Sequence, residues 1–224
     1  MTKTEKNKAI AEAYSSEPWW YDFRGFLILT FAYKSTLLSQ IKHFALNMGK
    51  QHLEVAVGSG TFFELLLRYR QWKKLPMGSI VAFDYAEKML MGAQARFRKN
   101  QNIALLQADA AHMPFPDEKF DTIGCANSIH SFPEVEKSIA ECFRVLKKGG
   151  VFNGNCLLYP GGNVFSMWIA QRINMWGQRK GILHRPYMIN EIRHYIEKAG
   201  FEIEKEKVTG NCYNFVAHKH KSAS

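Results

Sequence analysis

The segment Leu53-Glu54-Val55-Ala56-Val57-Gly58-Ser59-Gly60-Thr61 is a short apolar run that meets two glycines and passes into a helical pattern. Glycines at such a turn let backbone approach a ligand closely, and the helix start offers N–H groups that lack intrahelical partners. Taken alone, the pattern fits a dinucleotide site, a phosphate site or a tight turn. No Gly-Lys-Ser/Thr follows, which excludes a Walker loop. Asp84 stands 24 residues past Gly60, where its carboxylate could accept hydrogen bonds from two ribose hydroxyls. Asp109-Ala110 and Asn127-Ser128-Ile129-His130 follow the next two apolar runs. One polar residue at a strand end means little. Four in succession, on parallel strands, converge on one crevice and point to one shared ligand.

The elements that must position these residues alternate. Strands are predicted at His52–Val57, Ser79–Phe83, Ile103–Gln107, Phe120–Cys125 and Val151–Leu157. Helices are predicted at Thr61–Arg70 and Glu87–Arg98, and through Val135, Ile139, Cys142, Phe143 and Leu146, with Gly149-Gly150 closing the last one. Such alternation argues for parallel βαβ units with helices on both faces of a sheet. Before it, Leu37, Leu38, Ile41 and Phe44 keep one helix face apolar. After it come an apolar helix over Val164–Trp176, another over Asn190–Lys198, and two strands, Phe201–Val208 and Cys212–His218, that read as a hairpin at one sheet edge.

Composition bounds the answer. The chain has 224 residues, 46% hydrophobic and 22% charged, which excludes wholesale disorder and allows a core without disulfides. Its net charge is +10, yet the excess is spread out and residues 101–150 are net acidic, so no dense cationic tract marks a nucleic-acid binder. Cys125, Cys142, Cys156 and Cys212 form no C-x-x-C pair and sit in apolar runs, so free buried thiols are expected. Met1–Lys8 lacks a signal-peptide core, and Gly25–Tyr33 falls short of the ~20 apolar residues a spanning helix needs. A soluble, cytoplasmic protein with no transmembrane segment is expected.

Glu54-x-Ala56-x-Gly58-x-Gly60 resembles the nucleotide loop of class I S-adenosylmethionine-dependent methyltransferases. Val81 to Leu90 is similar to their second motif, Asp109 to Phe115 with Phe120-Asp121 to their acid loop and fourth strand, and Arg144 to Gly150 to the turn before strand five. The motifs stand in order over roughly residues 50–157, and the small-molecule branch with ubiquinone- and menaquinone-type enzymes resembles the chain most. Ala56 departs from the pattern, since the family usually has glycine there. The resemblance implies a Rossmann-like α/β fold: a seven-stranded, mostly parallel sheet with a C-terminal antiparallel hairpin, helices on both faces, an N-terminal helical segment and a helical lid insertion. It implies a single domain over 1–224, divided into a cap (1–48), a cofactor-binding core (50–158), a lid (159–187) and a last helix with C-terminal strands (188–219).

The same resemblance implies S-adenosyl-L-methionine as cofactor, with S-adenosyl-L-homocysteine as product. Glu54, Ala56, Gly58, Ser59 and Gly60 would hold its methionine part. Asp84 would bind the ribose, Tyr85 and Met89 would flank adenine, Asp109 and Ala110 would meet the adenine edge, and Asn127 would lie near the amino-acid end. Met89 fits helix core as well, and Glu54 fits a loop anchor. No metal is expected. His130 is the general-base candidate, with His184, Tyr14 and Tyr21 behind it; a passive place in the pocket wall is its other reading. Tyr14, Trp19, Tyr21, Tyr159, Phe165 and Trp168 are candidates to touch a small, partly apolar substrate, and a helix packing its stripe on the core is the alternative for the lid. An RNA methyltransferase and a non-catalytic cofactor-binding regulator stay open. An NAD-dependent dehydrogenase is disfavoured, because Phe63 stands at the third glycine of G-x-G-x-x-G. Arsenite methylation is disfavoured for want of cysteine clusters.

Overall fold

A computed structural model describes residues 36–161, 164–179 and 183–220, with the backbone alone at 164–166, 169, 170 and 173. Along it run α1 (Leu37–Ala45), β1 (Gln51–Val55), α2 (Thr61–Trp72), β2 (Ser79–Asp84), α3 (Glu87–Phe97), β3 (Ile103–Gln107), β4 (Phe120–Cys125), α4 (Val135–Val145), β5 (Leu146–Leu157), α5 (Val164–Arg179), α6 (Ile189–Lys198), β6 (Phe201–Thr209) and β7 (Cys212–Lys219). The strands form one sheet in the order β3-β2-β1-β4-β5-β7-β6. The pairs β1–β2, β2–β3, β1–β4 and β4–β5 are parallel. β7 runs antiparallel between β5 and β6. This is the expected Rossmann-like sheet with its edge hairpin. Strand order reverses between β1 and β4, and in open α/β sheets the crevice at that switch takes the ligand.

The period of two along each strand decides what fills each face. Leu53, Val55, Phe83, Ile123, Cys125 and Phe152 join one core with Val135, Ile139 and Cys142 of α4 and Ile192 and Ile196 of α6. Ile80 and Ala82 join the other with Ile41 and Phe44 of α1, Phe63 and Leu66 of α2, and Ala93 and Phe97 of α3. The four cysteines are buried free thiols, and burial pushes the Cys125 and Cys156 thiols well above their ordinary range.

β1 ends at Val55 rather than Val57, and the larger departure from expectation is at the end of α4. α4 stops at Val145, and Gly149-Gly150 lie inside β5. The carbonyls of the last helical turn find partners elsewhere: the Lys219 ammonium donates to Phe143 O at 2.9 Å and Leu146 O at 2.8 Å, and the Glu118 and Lys119 N–H groups take Arg144 O and Val145 O. With those acceptors satisfied, the chain can leave the helix early. Leu146 then pairs with Phe120, and the register shifts before Thr122 meets Val151. The surplus residues bulge through Gly149 at φ +76°, and a Cβ on Gly150 would meet Leu146 Cγ at 2.7 Å.

Candidate functional site

At the carboxyl ends of β1 to β4 lies a cleft of about 780 Å³, its open mouth included. Ala56, Gly58, Asp84, Tyr85, Asp109, Ala110 and Asn127 line it, together with Phe83, Ser128, Ser131, Phe132, Pro133, Glu134 and Ser138. Seven of the twelve residues singled out for cofactor and catalysis thus share one wall. Glu54, Ser59, Gly60, Met89 and His130 stand behind it.

The bend after β1 is built from left-handed backbone. Ala56, Gly58 and Gly60 have φ of 56°, 60° and 80°. Val57 N–H still donates to Phe83 O at 3.0 Å, so the bend stays tied to β2. Gly60 caps α2 and cannot grow a side chain, since a Cβ there would lie 2.5 Å from the Phe97 ring. Ala56 occupies a conformation that favours glycine by roughly 1–2 kcal/mol, a strain placed at the cleft wall itself. Ser59 is buried; its carbonyl accepts from Arg96 Nε at 3.1 Å and its hydroxyl lies 3.2 Å from Thr61 Oγ1.

Asp84 braces this bend. Its Oδ2 accepts the Gly58 N–H at 2.8 Å and its Oδ1 accepts the Ala86 N–H at 2.8 Å. Burial outweighs these bonds and raises its pKa from 3.8 to about 6. Each oxygen keeps a lone pair for a ligand hydroxyl when the group is ionised. Next to it, the Tyr85 carbonyl accepts from Gln107 Nε2 at 2.9 Å, which leaves the exposed ring at the cleft. Asp109 Oδ1 accepts the Ala111 N–H at 2.9 Å and so shapes the turn that carries Ala110.

Asn127 also holds left-handed backbone, at φ 56°. Its N–H donates to Asn155 Oδ1 at 2.6 Å, its Oδ1 accepts Asn155 Nδ2 at 2.9 Å, and its Nδ2 donates to Gln40 Oε1 at 3.1 Å. Neither Asn155 nor Gln40 stood out as a site residue in the sequence. The available signal was Asn153 and Asn155 in an otherwise apolar strand. Gln40 Nε2, on the same amide, is a buried donor with no acceptor among the described residues.

Glu54 is 3% exposed and faces the sheet's other layer. Its Oε2 pairs with His52 Nε2 at 3.1 Å, His52 Nδ1 lies 2.9 Å from Thr122 Oγ1, and the imidazole stacks on Phe63. Met89 is wholly buried. His130 sits in a 3₁₀ turn, Ile129–Ser131, with its carbonyl accepting from the His184 and Arg185 N–H groups. Burial lowers its pKa to about 3, so the ring stays neutral at ordinary pH. Tyr159 and Trp168 are exposed. The side chain of Phe165, and Tyr14, Trp19 and Tyr21 altogether, lie outside the described residues. Asp109, His112 and Glu134 offer donor atoms within 4.8 Å of one another. The Lys137 ammonium packs on His112 Nε2, a cation where a metal would need none, so the trio reads as polar rim.

Two acids, turn N–H groups and an apolar floor of Phe83 and Ala110 suit a nucleoside with hydroxyls and a planar base. Asn127, fixed by Asn155 and Gln40, presents a polar edge at the other end of the cleft. The residues present therefore fit S-adenosylmethionine.

Residues 53–153 match a family described as a methyltransferase domain. A ubiquinone/menaquinone biosynthesis C-methyltransferase from Bartonella tribocorum is 28% identical, over 94% of this chain and 87% of that one. An uncharacterised chloroplastic methyltransferase from Arabidopsis thaliana is 31% identical over 47% of this chain, which spans only 30% of that relative's length. The crystal structure of an S-adenosylmethionine-dependent methyltransferase from Aquifex aeolicus superposes with a TM-score of 0.64 at 20% identity, over 92% of this chain and all of that one. With the cleft at the switch in strand order, these matches make the chain similar to class I S-adenosylmethionine-dependent methyltransferases, whose fold it shares.

Proposed function

We propose that the protein transfers the methyl group to a small, partly apolar acceptor, of the quinol kind that its quinone-biosynthesis relative is named for. The observation that carries this reading is the cleft itself, in which polar groups from four strand ends face apolar walls from Phe83, Phe132 and Pro133. S-Adenosylmethionine supplies an activated methyl on a sulfonium, so the hard chemistry is the cofactor's. In this reading Asp84 accepts the ribose hydroxyls, Asp109 and Ala110 meet the adenine edge, and Asn127 with Gln40 holds the amino-acid end. Gly58 supplies close backbone, and Ala56 narrows the bend. Glu54 acts from beneath as an anchor through His52, and Met89 packs the helix behind the adenine.

What the chain adds is alignment and exclusion of water. Holding an acceptor in line is worth ~7–11 kcal/mol of barrier. His130 carries no proton in this scheme, because its ring is buried behind the cleft and holds a proton only in strong acid. The test is incubation of the protein with labelled S-adenosylmethionine and a panel of demethylated quinols, phenols and transfer RNA. Label on a quinol or phenol is expected; label on RNA alone would sink the small-molecule reading.

A further inference from the structure

We propose that α5 is a docking helix for an anionic phospholipid surface. Residues 142–190 contain no Asp or Glu, while Arg172, Arg179, Lys180 and Arg185 fall in the insertion alone. On α5, positions 168, 172, 175, 176 and 179 fall three or four apart and share one face. That face exposes Trp168 at 53%, Met175 at 44% and Trp176 at 41%, alongside the exposed Arg172 and Arg179. The Arg172 guanidinium lies over the Trp168 ring, 5.1 Å from its centroid. Neither arginine belongs to an ion pair among the described residues, whereas the neighbouring Arg185 is held by Glu191.

The combination selects the partner. A polyanion such as RNA would be met by the arginines but gives large apolar side chains nothing to bury against except unstacked bases. An acidic protein would need a groove. A bilayer interface takes both at once: indole rings settle at headgroup depth, the thioether enters the acyl boundary, and guanidinium groups reach lipid phosphates. α5 does not cross the bilayer, since no described helix is long and apolar enough. The helix would lie in the interface plane. The docking inference does not depend on the identity of the methyl acceptor.

The experiment is co-sedimentation of the full chain with vesicles of phosphatidylcholine alone and of phosphatidylcholine with equal phosphatidylglycerol, at low and high salt. The full chain should bind the anionic vesicles at least ~10-fold more tightly, and salt should weaken the binding. Arg172→Ala with Arg179→Ala should reduce it roughly 20-fold at low salt, at about one charge's worth of attraction each. Trp168→Ala with Trp176→Ala should remove the part that survives high salt. Circular dichroism checks that each exposed-site variant folds. No partition onto anionic vesicles by the full chain overturns the inference. So does partition that both double variants retain, which would assign binding to another basic surface. Equal capture by a soluble polyanion, indifferent to the tryptophan pair, overturns it as well.

Discussion

β2 and β3 lie side by side, β2 ending on Asp84 and β3 running into Asp109 at the same cleft, yet the two ends are built differently. Asp84 is buried, and both its oxygens are spent on backbone N–H groups from two separate loops. Asp109 is about one-third exposed and organises only its own turn. The first acid therefore braces two loops and, in the proposed scheme, reads the ligand as well, while the second is a rim group. A carboxylate pushed up to about 6 by burial also makes the β2 end sensitive to pH.

The largest effect should follow from removing the double role. Asp84→Ala leaves the Gly58 and Ala86 N–H groups unanswered and takes away the ribose acceptor. It should weaken S-adenosylhomocysteine binding by ~1–3 kcal/mol, measured calorimetrically, and lower thermal stability as well. Asp109→Ala should cost less, about 1 kcal/mol of affinity. Equal losses at the two positions would erase the contrast between them.

The pH dependence comes next. The folded pKa of Asp84 lies above its ordinary 3.8, so its contribution to stability is fully present below that value and is lost as pH rises through about 6. Binding runs the other way, because ionisation frees a lone pair for the hydroxyl. Affinity for S-adenosylhomocysteine should climb as pH passes 6 in the wild type and stay flat in Asp84→Asn. A wild-type profile flat across that window would remove Asp84 from the ribose.

A third test concerns the β4 end, where Asn127 is held by Asn155. Asn155→Ala should cost cofactor affinity by about 1 kcal/mol, with a smaller effect on turnover at saturating cofactor. Unchanged affinity would show that Asn127 needs no brace. The smallest change is Ala56→Gly. Glycine normally destabilises, but at φ 56° relief of left-handed strain offsets that, so the melting temperature should hold or rise slightly. A fall of several degrees would mean that the Ala56 methyl contributes packing that outweighs its strain.

The sheet, its parallel half and the polar residues at four strand ends were legible in the chain. Strand alternation and glycine turns are local signals, and parallel connection then sends those ends to one side. Buried partners were less legible. Asn155 is 28 residues from Asn127, and Gln40 is 87 away on the first described helix, so neither announces itself through spacing. The end of α4 lies before the glycines that its local pattern points to, because Lys219, 73 residues on from Leu146, satisfies carbonyls there and lets the strand begin.

Amino-acid order by itself settled which residues stand at the strand ends, since apolar periodicity and turn chemistry act over a few neighbours. Tertiary structure decided which of them face the cleft. Glu54, Met89 and His130 were turned into the interior, and only the packing of helices on both faces fixes that choice. It also decided the ionisation of Asp84 and His130, because desolvation depends on what the whole fold places around a group.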